Sequence, residues 1–151
     1  MVEQRGIVEE RRLNMHLMAY WQELRGKRDL VSPVDFDPSR LGDMWSDCFM
    51  VNAAERRNEM IFQHLGRKIA LVSKVPADLW NASGVPDKTL LTAVLDTVPE
   101  VLAGRQPIVS GGEFEDFMGR RCLFRGIVLP LGEDRQSVQC LVGGARCKAV
   151  E

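Results

Sequence analysis

The stretch that most constrains this chain lies near its C-terminus: FRGIVLPLGEDRQSVQCLVGG, residues 124–144. Phe124, Gly126 and Val128 alternate with Arg125, Ile127 and Leu129. The polar group Gly132-Glu133-Asp134-Arg135 interrupts, and Val138, Cys140 and Val142 then alternate with Ser137, Gln139 and Leu141. Period-two patterning on both sides of a polar break spells a strand, a turn and a strand. A hairpin this apolar belongs at the centre of a sheet. Its only acids, Glu133 and Asp134, sit in the turn, and it carries no histidine and no phosphate-binding loop, so the strands themselves point to something other than the commonest chemistries.

The rest of the chain supplies partners for that hairpin. Leu13, Leu17, Tyr20, Trp21 and Leu24 recur at steps of three and four within 8–25, and Gly26 stands just past the end, which predicts an amphipathic helix. DLVSPVDFDPSRLGD reads as a long extended link with one short turn, begun by Asp37 as N-cap with Pro38 behind it. MWSDCFMVN (44–52) and EMIFQHL (59–65) predict a hairpin around the polar AAERRN. Between 66 and 86, Gly66, Pro76, Gly84 and Pro86 permit only short helical turns. From Asp87 as N-cap, Leu91, Val94, Leu95, Val98, Val101 and Leu102 predict one long helix to Gly104, with Pro99 inside it as a kink costing about 3 kcal/mol. A strand around 107–117 precedes the hairpin. Five strands joined this way pair antiparallel, giving an α+β fold with helices on one face of the sheet and an N-terminal amphipathic helix.

Composition narrows the classes. A chain of 151 residues is one domain, with a charged extension at 1–11 and the domain at 12–147. With 20 basic and 21 acidic residues, nothing selects for nucleic acid or an anionic membrane. No run approaches a membrane span, and the charged start lacks the apolar core of a signal peptide, so a cytoplasmic location is expected. Cys48, Cys122, Cys140 and Cys147 lie far apart with no Cys/His cluster, so no metal site is expected.

Five segments together resemble a known family. MHLMAYWQELRGKR (15–28) is similar to its opening helix, and PVDFDPSRL (33–41) to its link into the first strand. FQHLGRKI (62–69), TVPEVLAGRQPI (97–108) and VLPLGEDRQSVQCLVGG (128–144) follow in order. The chain thus resembles, over about residues 12–146, the PAS-like family of small, mostly single-domain bacterial proteins. The resemblance implies a sensory or regulatory module that binds a small ligand, a protein partner or both, and signals through another chain. The marks of haem or flavin PAS domains are not identifiable, so neither cofactor is expected.

Residues expected to face the helices from the sheet form the candidate pocket: Phe49, Phe62, His64, Trp80, Phe124, Val128 and Cys140. Of the two histidines, His16 lies on the first helix, and His64 ends a strand near the pocket wall. The first helix carries a wider apolar arc than one flat surface covers. Leu13, Leu17, Met18, Tyr20, Trp21 and Leu24 are therefore candidates for homodimer or partner contact, with packing on the chain's own sheet as the alternative. A competing reading makes Asp47 and His64 an acid–base pair in a small cone-shaped enzyme. A third is a ligand-free interaction protein with a filled core. Gly111-Gly112 and Gly143-Gly144 match no phosphate loop, and in strands they mark a bulge or a close backbone approach. Arg120, Arg121 and Arg125 read as a solvated strand face.

Overall fold

A computed structural model describes residues 2–116 and 118–150, with side chains from Arg11 onward. Helix α1 spans Val2–Arg25. Its backbone therefore runs through the segment expected as a separate extension, whose side chains up to residue 10 lie outside the described residues. Strands β1 (Cys48–Asn52) and β2 (Phe62–Leu65) precede three short helices, α2 (Arg67–Val72), α3 (Leu90–Leu95) and α4 (Val98–Gly104). Strands β3 (Ile108–Glu115), β4 (Arg121–Leu131) and β5 (Cys140–Ala149) complete the domain. The sheet order is β2-β1-β5-β4-β3, with every pairing antiparallel.

The predicted hairpin is β4 and β5, and it occupies the middle of the sheet. The pairing runs without slip from Cys122↔Ala149 to Leu131↔Cys140. Its turn is tied down by the link after α1: the Asp134 carboxylate accepts from the backbone N–H groups of Asp29 (3.0 Å) and Leu30 (3.3 Å), and Ser32 donates to Glu133 at 2.8 Å.

Three expectations need correction. The long helix predicted over 87–104 is two helices, with Thr89 rather than Asp87 capping α3 through its own hydroxyl. Pro99 falls in the first turn of α4, where no intrahelical partner waits for its missing N–H, so the kink cost does not arise. The first strand begins at Cys48, because 38–47 coil as 3-10 turns that bend at Gly42 (φ 54°). The Asp37 cap and Pro38 stand as predicted, with the carboxylate accepting from Ser39 N–H at 3.1 Å.

Glycines show which face each helix covers. A side chain at Gly126 would meet Val94 of α3, whereas one at Gly144 would meet Leu17 and Leu13 of α1. These two glycines stand on opposite faces, since Gly126 pairs with Ala145, the neighbour of Gly144. So α3 and the inner face make one layer, and α1 lies across the outer face on β4 and β5. Register on both sides of Gly143 and Gly144 is unbroken, so this pair is a close approach rather than a bulge. The ring of Phe49 lies directly over Gly143.

Candidate functional site

The sheet face that α3 covers is filled by the protein's own side chains. Phe49 and Val128 are fully buried, Phe62 meets Phe49 edge-on at 6.3 Å, and Phe124 meets Phe114 at 5.8 Å. These four expected pocket residues share the inner face but act as packing. The other three do not join them. Cys140 alternates with inner-facing Leu141 and so points to the α1 side, one register step from its expected place. Trp80 sits in the connection after α2, is 67% exposed, and contributes only its backbone carbonyl, which accepts from Phe62 N–H at 2.9 Å. His64 pairs with Met50 on the outer face, where its ring stacks on Trp45 at 4.0 Å and its Nε2 hydrogen-bonds the Trp45 carbonyl at 2.9 Å. Burial of that ring lowers the imidazole pKa, against the hydrogen bond, which raises it.

Asp47 and His64 are not hydrogen-bonded to each other. The buried Asp47 carboxylate is held by Arg146, with Oδ2 at 3.0 Å from Nε and 2.9 Å from Nη2. This satisfies the acid inside the core rather than preparing it for proton transfer. Next to it, burial and the negative Asp47 push the Cys48 thiol up to about 12.

The α1 stripe packs on the chain's own sheet, the alternative weighed from the sequence. Leu13, Leu17 and Trp21 are essentially inaccessible and Tyr20 nearly so, while Leu24 is half-buried. Trp21 Nε1 donates to the Pro130 carbonyl at 2.8 Å, and Asn14 Nδ2 to the Gly126 carbonyl at 3.1 Å, fixing the helix along β4. Those residues are therefore not free for a partner. What α1 leaves outward is the neighbouring arc. Arg11, Met15 and Met18 form, with Val109 of β3 and Arg125 of β4, a groove of about 440 Å³. Met15 is 69% and Val109 53% exposed. The Oδ1 of Asn14, itself 7% exposed, borders this groove and has no hydrogen-bond partner. Sequence reasoning missed Met15 because it sits between the two strongest repeats of the stripe.

A second concavity of about 320 Å³ opens where the inner face meets the connection from α2 to α3. Of the expected basic group, Arg120 pairs with Asp116 at 2.9 Å beside this cleft and Arg121 pairs with Glu113, while Arg125 lines the α1 groove. Among the described residues there is no group of three or more metal-ligating side chains, and no helix is long and apolar enough to cross a membrane.

An antiparallel β2-β1-β5-β4-β3 sheet, with short helices over one face and an N-terminal helix across the other, defines a class of small sensory and signalling domains. Residues 10–145 match the family described as PAS domain, and the chain belongs to that family. Solved structures agree in fold. A light-oxygen-voltage domain described with a flavin analogue is 9% identical, with a TM-score of 0.50 over 78% of this chain and 87% of that one. The PAS domain of the fruit-fly ELK potassium channel is 13% identical, TM-score 0.48, over 76% and 96%. That of Bordetella pertussis BvgS is 16% identical, TM-score 0.42, over 76% and 89%. Identities this low speak to the fold alone. No curated protein matches the chain.

Proposed function

We propose that this PAS domain is a signalling module that works by docking a protein partner on its outer face, in the groove between α1 and the β3–β4 edge. The observation that carries the reading is the groove itself, an apolar channel along a helix whose opposite side is anchored to the sheet. Its occupant is an acidic amphipathic helix. Met15, Met18 and Val109 offer apolar contact, and Arg11 and Arg125 make no ion pair among the described residues. A helix with carboxylates beside its apolar stripe complements both. A second copy fits less well, because the α1 residues lining the groove include no acid to meet those arginines. The reading assigns no catalysis and no haem or flavin. Asp47 and His64 are engaged elsewhere, and the space a cofactor would need between α3 and the sheet holds Phe49, Val94 and Val128.

The test is fluorescence anisotropy with a designed helical peptide carrying a Leu/Met stripe flanked by glutamates. Saturable binding is expected, weakened severalfold by Arg125→Glu and regained when the peptide's glutamates become lysines. A lysine-flanked peptide binding the wild type equally well would sink the reading. So would a homodimer in light scattering that Met15→Asp dissolves, which would make the groove a contact between two copies of the chain instead.

A further inference from the structure

The two edges of the sheet differ. At β2 the edge is covered, because Ile61 bridges to Asn81 and Phe62 N–H donates to the Trp80 carbonyl at 2.9 Å. At β3 it is not: among the described residues, no backbone hydrogen bond runs from 108–115 to any element but β4. In an antiparallel ladder alternate residues aim their N–H and C=O groups away from a given neighbour, so about half of those in β3 point outward. Val109, Gly111, Gly112, Glu113 and Glu115 are exposed. Sheet proteins shorten, bulge or cover such edges. This one pairs from Ile108↔Val128 to Glu115↔Arg121 without a slip, so only a cover is left to protect it.

The strand is close to self-complementary. Gly111 pairs with Arg125, so Val109, Gly111 and Glu113 share the outer face, while Ile108 and Phe114 share the inner one, where Phe114 meets Phe124. A two-fold axis through Gly111, perpendicular to the sheet, sets Ile108 opposite Phe114 of a second copy, Ser110 opposite Gly112 and Val109 opposite Glu113. Centring the axis on either neighbour sets Ile108 against Gly112 or Asp116, and Phe114 against Gln106 or Ser110. Of these three registers, the one at Gly111 joins apolar to apolar on the inner face and puts no acid opposite an acid.

Charge fits the same register. The Arg125 side chain lies across Gly111, with Nη1 3.0 Å and Cδ 3.1 Å from where a β-carbon of residue 111 would stand, and it makes no ion pair among the described residues. The second copy's Glu113 arrives beside Gly111 on that face. Glu113 is already bonded by Arg121 of its own chain, and a carboxylate has lone pairs for a further guanidinium. We propose that β3 is a homodimer edge: two copies join antiparallel about Gly111, their two sheets become one, and Arg125 meets Glu113 twice across the axis. This contact is separate from the helix docking above, which needs Met15 and Met18 on α1; Arg125 alone borders both.

The experiment mixes single-cysteine additions under a mild oxidant and reads them on non-reducing gels. Directly opposed residues of an antiparallel pair lie within disulfide reach. Val109→Cys and Glu113→Cys chains together should therefore give a reducible dimer well above either alone, because in this register two copies of position 109 stand four residues apart along the strands. The unsubstituted protein sets the background from the native cysteines. Sedimentation equilibrium reads the charge pair: Arg125→Glu or Glu113→Arg alone should weaken the dimer severalfold, and an equal mixture of the two should regain it. Melting curves matching the wild type show that these exposed changes leave the fold intact. Met15→Asp should leave both readouts unchanged, so a failure of helix docking is distinguished from a failure of this contact. The proposal is overturned if the mixture cross-links no better than the single chains, if the mixed charge variants stay dissociated, or if Met15→Asp dissolves the dimer.

Discussion

Gly143 is where a single methyl group tests the packing of the inner face. An alanine Cβ there would overlap Cζ and Cε1 of Phe49 and lie 3.0 Å from Cε2, well inside the 3.5–4.0 Å of favourable carbon contact. The ring has little room to retreat, because Phe49 is fully buried and Phe62 stands against it edge-on. Gly143→Ala should therefore cost about 2–3 kcal/mol, the upper part of the overpacking range. For a domain of this size that lowers the Tm by roughly 4–12 °C. Glycine in a strand is otherwise a weakness that alanine improves by about 0.5–1 kcal/mol. With the ring gone, in Phe49→Leu, adding the methyl should be neutral or stabilising. The coupling in the double-mutant cycle should be about 2 kcal/mol or more. Urea unfolding followed by circular dichroism measures all four proteins. A Gly143→Ala cost that is the same in both backgrounds, within about 0.5 kcal/mol, would refute the claim that the Phe49 ring dictates glycine here.

Other expectations follow from the contacts around α1 and the buried polar groups. Asn14→Ala strands the Gly126 carbonyl and should cost about 1–3 kcal/mol, whereas exposed His16→Ala two positions on should change stability by less than about 0.5 kcal/mol in the same urea assay. Asp47→Ala removes the carboxylate that the part-exposed Arg146 pairs with and should cost about 1–3 kcal/mol, read as a fall in the urea midpoint; a loss below about 0.5 kcal/mol would mean the pair is solvated. The folded-state pKa of His64 lies below that of the unfolded chain, so the unfolded state binds more protons on acidification. Its contribution is intact above the ordinary imidazole value of about 6.5 and declines as pH falls through and below it. His64→Gln should therefore lose less Tm than wild type between pH 7.5 and 5.5. Burial raises the Cys48 and Cys140 thiols to about 12 and about 11, so at pH 8 mass spectrometry should find half-buried Cys147 alkylated first, with Cys48 and Cys140 following only as the protein unfolds.

What could be read from the sequence was whatever repeated. The alternation through 124–144 placed β4 and β5 and their central position, and the three-and-four spacing of Leu13, Leu17 and Trp21 placed α1. What escaped was set by single backbone positions. Pro99 reads as a flaw inside one long periodic stripe, and only the structure shows that two helices share the stripe and that the proline opens the second. Gly42 bends 38–47 into 3-10 turns though the composition of MWSD is strand-like. The candidate pocket failed for a related reason. Spacing assigned Phe49 and Val128 to the inner face, but it could not show that Phe49 lies over Gly143 and closes the space, nor that Cys140 is one step out of register. The two concavities described above combine strand residues with residues of α1 and the loops, among them Met15, Lys74 and Lys88, whose neighbours come from distant parts of the chain.

The strand order has a consequence for how the domain is made. The last strand formed, β5, sits between β1 and β4, and the outer face that anchors α1 belongs to the same hairpin; Asn14 and Gly126 are 112 positions apart. While a ribosome is still releasing residues before Cys140, β1 has its β2 partner alone and α1 has no complete surface to lie on. The early half of the chain must then wait, with Leu13, Leu17 and Trp21 uncovered, until the closing strand emerges. Its completion is a late, long-range event of the kind that slows folding and invites chaperone capture in the interval. Placing the final strand in the middle makes assembly close to all-or-none, so a chain cut short before β5 presents the cell with an open sheet rather than a smaller domain.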